Sequence, residues 1–270
     1  MLEPFAWDYV VFRRRPLRLR PGAESRLPAR LYRAYKRIVQ DTLAHLVLKL
    51  FLAFETAAPL RWYLRSPVPA LLLPGIEVIE SSQDSLTRRH ELYRHVEMEL
   101  YVPASHLRAA LHLTQELLQV FSGEKNEVSP ETAVSLDEIR LLEPLHALRG
   151  SYIHHYPVYI RRVLPEDTLI SMTGNAQEAY YTFSFFCYSK QREPFFSMAR
   201  YIAQVFNHMY GAFPHWGKHY PLWNSDIEML FPELDQFRSI CHEVDPDGVF
   251  CNDFAQRVLG FPDRVGEMSA

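Results

Sequence analysis

Strand-like and helix-like segments follow one another in mixed order along this chain, and that order limits the fold more than any other feature. Aromatic and β-branched residues that alternate with period two predict strands, at 95–103, 154–163 and 179–189. Apolar residues at helical spacing predict helices, at 43–54, 107–121, 193–210, 232–244 and 254–259. No βαβ unit repeats, so the sequence predicts an α+β fold with an antiparallel sheet flanked by helices.

Three local patterns give further predictions. Loose alternation predicts one strand over residues 5–20, and residues 164–178 predict another short strand with a turn at Gly174 and Asn175. Asp41 stands where it could cap the first helix.

Composition places the chain among globular proteins, with 48% hydrophobic and 13% aromatic residues in 270. Three cysteines without a CxxC pair, and no signal peptide at the start, predict a reducing, cytoplasmic setting. The apolar segment 42–64 is interrupted by His45, Lys49 and Glu55, so it does not predict a membrane span. Peripheral contact with a membrane surface stays open.

The basic residues concentrate at the start of the chain. Residues 1–41 hold ten basic and four acidic residues, although the whole chain carries a net charge of −3. We therefore expect a basic N-terminal arm and strand over 1–35, followed by one domain over 36–270. The arm is either a binding surface for acidic groups or a solvated edge strand. No nucleic-acid module and no glycine-rich phosphate cradle is present in the sequence.

Two of the predicted strands carry polar side chains at alternate positions. Alternation puts Tyr159 and Arg161 on one face of their strand, and Thr182 and Ser184 on one face of theirs. These residues form either a polar wall for a ligand or the wet outer face of a half-buried sheet.

The segment "PHWGKHYPLW", 214–223, gathers two histidines, two tryptophans and a lysine. Aromatic neighbours could hold the Lys218 ammonium where negative charge develops, or simply stack on it for stability. His215 and His219 lie four residues apart, but without a third ligand we interpret them as hydrogen-bonded histidines and predict no metal.

Several motifs together resemble a known family. The segments are, in order, "MELYVP", "HYPVYIR", "PHWGK", "LFPELDQF", "DPDGVFCNDF" and "VLG". Their order and spacing resemble the C-terminal substrate (cap) domain of the aldonolactone oxidases, flavoenzymes of the vanillyl-alcohol-oxidase superfamily. The resemblance is firm over 97–260 and looser before residue 92.

The resemblance implies an FAD-dependent oxidation of a sugar-1,4-lactone or a polyol, by hydride transfer to flavin and with oxygen as acceptor. By position, Lys218 and Arg161 match the catalytic lysine and arginine of the family. Thr182, Ser184 and His215 fall where the resemblance implies substrate contacts.

The sequence departs from the family in two respects. Tyr159 stands where the family has the glutamate of a Glu-x-Arg pair, so a phenol occupies that part of the catalytic set. The family's FAD-binding domain precedes this region, so we expect a flavin-binding domain or subunit as a partner. The alternative is a non-catalytic remnant that serves as a binding or membrane-surface module.

Overall fold

The chain folds into two compact units, each of which is described separately. The first contains Met1–Val96, Ile153–Pro157 and Phe186–Arg192, and the second contains Glu97–Tyr152, Val158–Phe185 and Glu193–Ala270. The structure is a computed structural model, and the residues that it describes are 1–11, 31–32, 34–53, 57–66, 83, 94–174, 177–188, 192–222, 227–228 and 230–261.

Helices build the first unit. A π-helical segment, Lys36–Leu43, continues directly into helix α1, Ala44–Leu52, and helix α2 follows at Ala57–Arg65. Their apolar faces meet in a core in which Phe51 stacks on Tyr63 with ring centroids 4.8 Å apart. The buried members of this core are Phe5, Leu48, Leu60, Tyr63, Leu64 and Tyr188.

Two predictions for the first unit are wrong. Asp41 lies inside the π-helical segment, so the helix has already begun before the predicted cap. Residues 5–11 form a turn closed by a bridge between Leu2 and Tyr9 instead of a strand. The rest of that predicted strand and most of the basic arm, residues 12–30, lie outside the described residues.

A four-stranded sheet falls mainly within the second unit. Its strands are β1 (His95–Pro103), β2 (Tyr159–Val163), β3 (Tyr180–Tyr188) and β4 (Phe213–Pro214). The strand order is β2-β3-β1-β4, and both the β2–β3 and the β1–β4 pairs are antiparallel. Together with the helices around it, this sheet confirms the predicted α+β fold.

Six α-helices of the second unit have described bounds, and a short 3₁₀ helix, Ala104–His106, precedes the first of them. The six α-helices are α3 (Leu107–Phe121), α4 (Pro130–Glu138), α5 (Leu142–Ala147), α6 (Arg192–Tyr210), α7 (Leu234–Val244) and α8 (Asp253–Leu259). Local chemistry fixes their ends: Asn252 accepts a hydrogen bond from the Ala255 N–H at the start of α8. Helix α6 stops at Gly211, whose φ of +60° a residue with a side chain adopts only under strain.

The core of the second unit lies between the sheet and its helices. Met98, Leu100 and Val102 alternate along β1 and are fully buried. Phe183 of β3 contacts Phe206 of α6 edge to face, with ring centroids 5.8 Å apart. The opposite positions of β1 and β3 are therefore left for the polar side chains described below.

Two sequence predictions for the second unit need correction. Residues 164–178 form turns closed by a single bridge between Glu166 and Gly174, so the predicted strand is absent from the described part of this segment, and Asn175 lies outside it. Helices α4 and α5 were not predicted. The start of helix α4 carries a local signal, since Ser129 caps it by accepting a hydrogen bond from the Thr132 N–H and Pro130 is its first residue.

Within the described ranges, no helix combines the length and apolar composition required to span a membrane.

Candidate active site

The β2–β3 pair places the predicted polar side chains together. In the register of these strands Arg161 lies opposite Thr182, and Tyr159 lies opposite Ser184. Directly opposed residues share one face of an antiparallel sheet, so the predicted polar face is confirmed. Thr182 and Ser184 are buried, whereas 59% of the Arg161 side chain is exposed. The face is thus a partly enclosed surface rather than a fully wet one.

Glu99 of β1 joins this face to the "PHWGK" segment. No role for this carboxylate was predicted from the sequence. Its Oε2 accepts hydrogen bonds from Arg161 Nη2 and from Lys218 Nζ, each at 3.0 Å. Ser184 Oγ donates to the same oxygen. One buried oxygen therefore connects side chains from β2, β3 and the segment after β4.

The surroundings of Glu99 keep it ionised. Burial opposes its charge, but the hydrogen bond from Ser184 and the charges of Lys218 and Arg161 outweigh that effect and hold its pKa below the ordinary value. Because a buried carboxylate is stable only when it is paired, the two cations and Glu99 depend on one another.

Backbone hydrogen bonds set the position of Lys218. The His215 N–H donates to the Glu99 carbonyl at 2.9 Å, and the His219 N–H donates to the Glu97 carbonyl at 2.8 Å. These two contacts attach the segment to the edge of β1 on both sides of Lys218. The ammonium then lies against Glu97 Oε1 as well as Glu99 Oε2.

The aromatic explanation for Lys218 is wrong. Trp216 and Tyr220 stack on each other, with ring centroids 5.0 Å apart and planes inclined by 3°. Trp216 Nε1 also donates to the Ile170 carbonyl at 2.8 Å. The aromatic residues shape the segment, while carboxylates hold the ammonium, because an ion pair compensates its charge better than a ring does.

The two histidines of the segment have different environments. His215 Nδ1 accepts a hydrogen bond from the Gly217 N–H at 2.9 Å, and desolvation lowers the pKa of His215, so the ring is neutral at pH 7. Its proton is then on Nε2, which makes His215 a hydrogen-bond donor there. His219 instead stacks on Phe196 with centroids 4.3 Å apart. In the described ranges, no group of three or more metal-ligating side chains occurs.

Tyr159 and Thr182 complete the polar face. Desolvation raises the pKa of Tyr159, although the Arg161 charge partly opposes it, so the phenol stays protonated at pH 7. Within the described part of the chain, the buried Thr182 hydroxyl has no hydrogen-bond partner. A buried hydroxyl without a partner is costly, so this position suits a ligand group that can accept or donate a hydrogen bond.

Sequence reasoning missed the acidic side of this site. Glu97, Glu99 and Tyr101 lie at alternate positions of β1 and so share one face. Burial, together with the charge of Glu99 and a hydrogen bond to it, raises the pKa of Tyr101 to about 12. The Glu-x-Glu spacing within a strand was the available signal, because two carboxylates on one sheet face need nearby cations.

The arrangement can bind and polarise an oxygen-bearing ligand. The charges of Glu97 and Glu99 balance those of Lys218 and Arg161, which allows the cluster to be partly buried. Arg161 uses Nη2 for its contacts with the described residues, which leaves further N–H donors for a ligand. Cationic donors fixed in a partly enclosed site stabilise an oxyanion more strongly than the same donors in water.

The known proteins that are similar to this chain are named as oxidases or dehydrogenases of lactones or alcohols. The family model for D-arabinono-1,4-lactone oxidase matches residues 21–258. A long-chain alcohol oxidase from an uncultured marine euryarchaeote is 36% identical over 98% of the chain and 55% of its own length. An L-gulonolactone oxidase from Scyliorhinus torazame is 31% identical over 39% of the chain and 24% of its own length. An L-gulono-1,4-lactone dehydrogenase from Mycobacterium tuberculosis is 28% identical over 39% of the chain and 23% of its own length.

The chain thus spans little more than half the length of the first of these relatives and about a quarter of the other two. The matched region nevertheless includes the whole sheet and every residue of the candidate site. The resemblance found in the sequence motifs is confirmed: the chain belongs to the D-arabinono-1,4-lactone oxidase family of oxidoreductases.

Proposed function

We propose that this chain provides the substrate side of an FAD-dependent oxidoreductase that oxidises a hydroxyl-bearing carbon of a sugar-1,4-lactone or polyol. The supporting observation is the cluster at Glu99, in which one carboxylate fixes Lys218 and Arg161 beside the buried hydroxyl of Ser184. A site that oxidises an alcohol needs fixed hydrogen-bond donors near the reacting oxygen, and the N–H groups of Lys218 and Arg161 in this cluster can provide them.

In this proposal Lys218 and Arg161 stabilise negative charge as it develops on the substrate oxygen. Glu99 acts as a positioning residue, because its low pKa makes it a poor proton acceptor but a strong partner for both cations. His215 and Thr182 orient further hydroxyl groups, His215 as a neutral donor and Thr182 through its unpartnered hydroxyl.

FAD would supply the acceptor for the hydride, and the hydroxyl proton would pass to water, because the face is open to solvent at Arg161. The donor set of the described residues fits the substrate side of such a reaction, because it consists of N–H and O–H groups suited to hydroxyl oxygens. The sequence contains no glycine-rich phosphate cradle. We therefore expect most of the protein contacts to FAD to come from a flavin-binding domain that packs with this chain.

The polar face favours a substrate with several hydroxyl groups. Arg161, Thr182 and Ser184 lie together on it, and each satisfied hydrogen bond to a substrate hydroxyl discriminates against an analogue that lacks the group. The similarity to a long-chain alcohol oxidase favours a second candidate, a long-chain primary alcohol. In that case the polar face would contact only the reacting hydroxyl.

Flavin reduction tests the proposal directly. The chain, purified together with the flavin-binding domain, is mixed without oxygen with L-gulono-1,4-lactone, with xylitol or with a long-chain primary alcohol. We expect the flavin absorbance to bleach with the lactone or the polyol. Bleaching by the long-chain alcohol alone would contradict the polyol or lactone substrate and support the second candidate. If none of the three compounds bleaches the flavin, a non-catalytic binding module is favoured instead.

Thr182→Val tests the polar face within the same experiment. Valine keeps the shape of threonine but removes the hydroxyl, so we expect a higher substrate concentration at half-maximal reduction for the lactone or polyol. Reduction by a long-chain alcohol should respond less. Ser135→Ala, at a half-buried serine on helix α4 that is not part of the polar face, is the matched control and should change neither.

A further inference from the structure

A pocket is lined by the segment that carries Lys218 together with residues of helices α6 and α8. Its volume is about 260 Å³. The residues that line it include Arg200, Lys218, His219, Tyr220, Phe254 and Arg257. None of its described lining residues is acidic.

The excess positive charge of this pocket does not come from Lys218. The Lys218 ammonium is already compensated by Glu97 and Glu99. Arg200 is exposed and forms no ion pair with any described residue. A guanidinium of this kind, at the edge of a pocket without carboxylates, favours an anionic ligand with oxygen atoms.

His219 lines the pocket together with Arg200 and Arg257. Its ring is half-buried and stacked on Phe196, with centroids 4.3 Å apart, so its place is fixed. Desolvation lowers the pKa of His219, and the charges of Arg200 and Arg257 lower it further. The positive charges of two guanidinium groups therefore disfavour protonation of one imidazole, and a bound anion would offset that repulsion.

The rest of the lining is partly aromatic. Tyr220 packs edge to face against Phe254 at 5.8 Å, and the Arg257 guanidinium lies 5.8 Å from the Phe254 ring. A volume of about 260 Å³ lies below the ~300–1,000 Å³ of pockets for drug-sized ligands, and it suits one anionic group with its nearest atoms.

We infer that this pocket is a binding site for a single oxyanion group, a phosphoryl or carboxylate group, held by Arg200 with His219 beside it. The inference goes beyond the proposed oxidation and does not depend on it, because the binding is a property of this chain alone. The oxyanion belongs either to a phosphorylated ligand or to the carboxylate of a sugar acid.

The test follows the His219 ring by NMR on the full chain, with its signal assigned from His219→Gln. Inorganic phosphate and gluconate are titrated separately, at constant ionic strength maintained with sodium chloride. We expect at least one of them to produce a saturable shift of the His219 Cε1–H signal and to raise the measured pKa of that ring. A response to phosphate alone identifies a phosphoryl group, and a response to gluconate identifies a carboxylate.

The matched variants are Arg200→Gln and Arg149→Gln, both at exposed arginines, of which Arg149 does not line the pocket. Loss of a charge-assisted contact should weaken binding by about 10-fold or more in Arg200→Gln and leave Arg149→Gln unchanged. The inference is overturned if neither anion gives a saturable shift, or if both variants weaken binding equally, which would indicate a general effect of charge.

Discussion

Replacing Glu99 by glutamine tests whether the charge cluster stabilises the fold. Only 4% of Glu99 is exposed, and its carboxylate pairs with two cations. Breaking a buried ion pair from one side costs roughly 3–5 kcal/mol. Two features reduce that cost: 59% of the Arg161 side chain is exposed, and Lys218 keeps Glu97 as a partner. We therefore expect Glu99→Gln to lower the free energy of unfolding by about 2 kcal/mol at pH 7.

The pH dependence of this loss tests its electrostatic origin. Because the folded-state pKa of Glu99 lies below its ordinary value, the carboxylate stabilises the fold fully above the unfolded pKa, about 4.3. That contribution disappears as the pH falls through the lower, folded-state pKa. The difference between wild type and Glu99→Gln should therefore be largest at pH 7 and smaller at pH 3.

Urea unfolding at both pH values measures the effect, with Glu143→Gln as the control. The Glu143 side chain is 94% exposed, so that variant should stay within about 0.5 kcal/mol of the wild type. The reasoning is refuted if Glu99→Gln unfolds like wild type at pH 7. It is also refuted if the loss is equally large at pH 3, since the cause would then be packing and not charge.

Three further variants test other parts of the structure. Tyr159→Glu restores a carboxylate two residues before Arg161, and we expect faster oxidation of aldonolactones; a drop or no change in flavin reduction would show a site adapted to another substrate. Gly174→Ala places a methyl group 2.7 Å from the Thr168 carbonyl oxygen, and we expect a loss of about 1–3 kcal/mol in urea unfolding; unchanged stability would contradict the tight turn. Asn252→Ala removes the cap of α8 and should cost about 1 kcal/mol, whereas Asn252→Ser should restore most of it.

The elements that the sequence predicted well are those in which apolar residues recur at regular spacing. The strands β1 and β3 and the helices α3 and α6 each bury one set of regularly spaced residues, and the sequence alone shows that spacing. The shared face of Arg161 and Thr182 followed from the same alternation. Residues 164–178 have no such period, and their turns depend on contacts with distant residues, such as the bond from Trp216 to Ile170.

The site was harder to predict because Glu99, the residue at its centre, lies on β1, far in sequence from both Arg161 and Lys218. Lys218 was recognised from its motif, but its partners Glu97 and Glu99 lie more than 100 residues away in sequence, and only the β1–β4 pairing brings them together. Aromatic neighbours in the sequence suggested a cation on a ring, whereas the fold turned those rings toward each other. A long-range pairing of this kind has no local signal.

The rate of flavin reduction by the Lys218→Met variant tests the central claim most directly. The chain is purified together with a flavin-binding domain, as the proposed function requires; the substrate is then added without oxygen, and the flavin absorbance is followed in a stopped-flow instrument. We predict a reduction rate lower by about 100-fold or more, as when a fixed donor to a developing oxyanion is removed, with an unchanged flavin spectrum and circular dichroism. A well-folded variant that reduces its flavin at the wild-type rate would contradict the account.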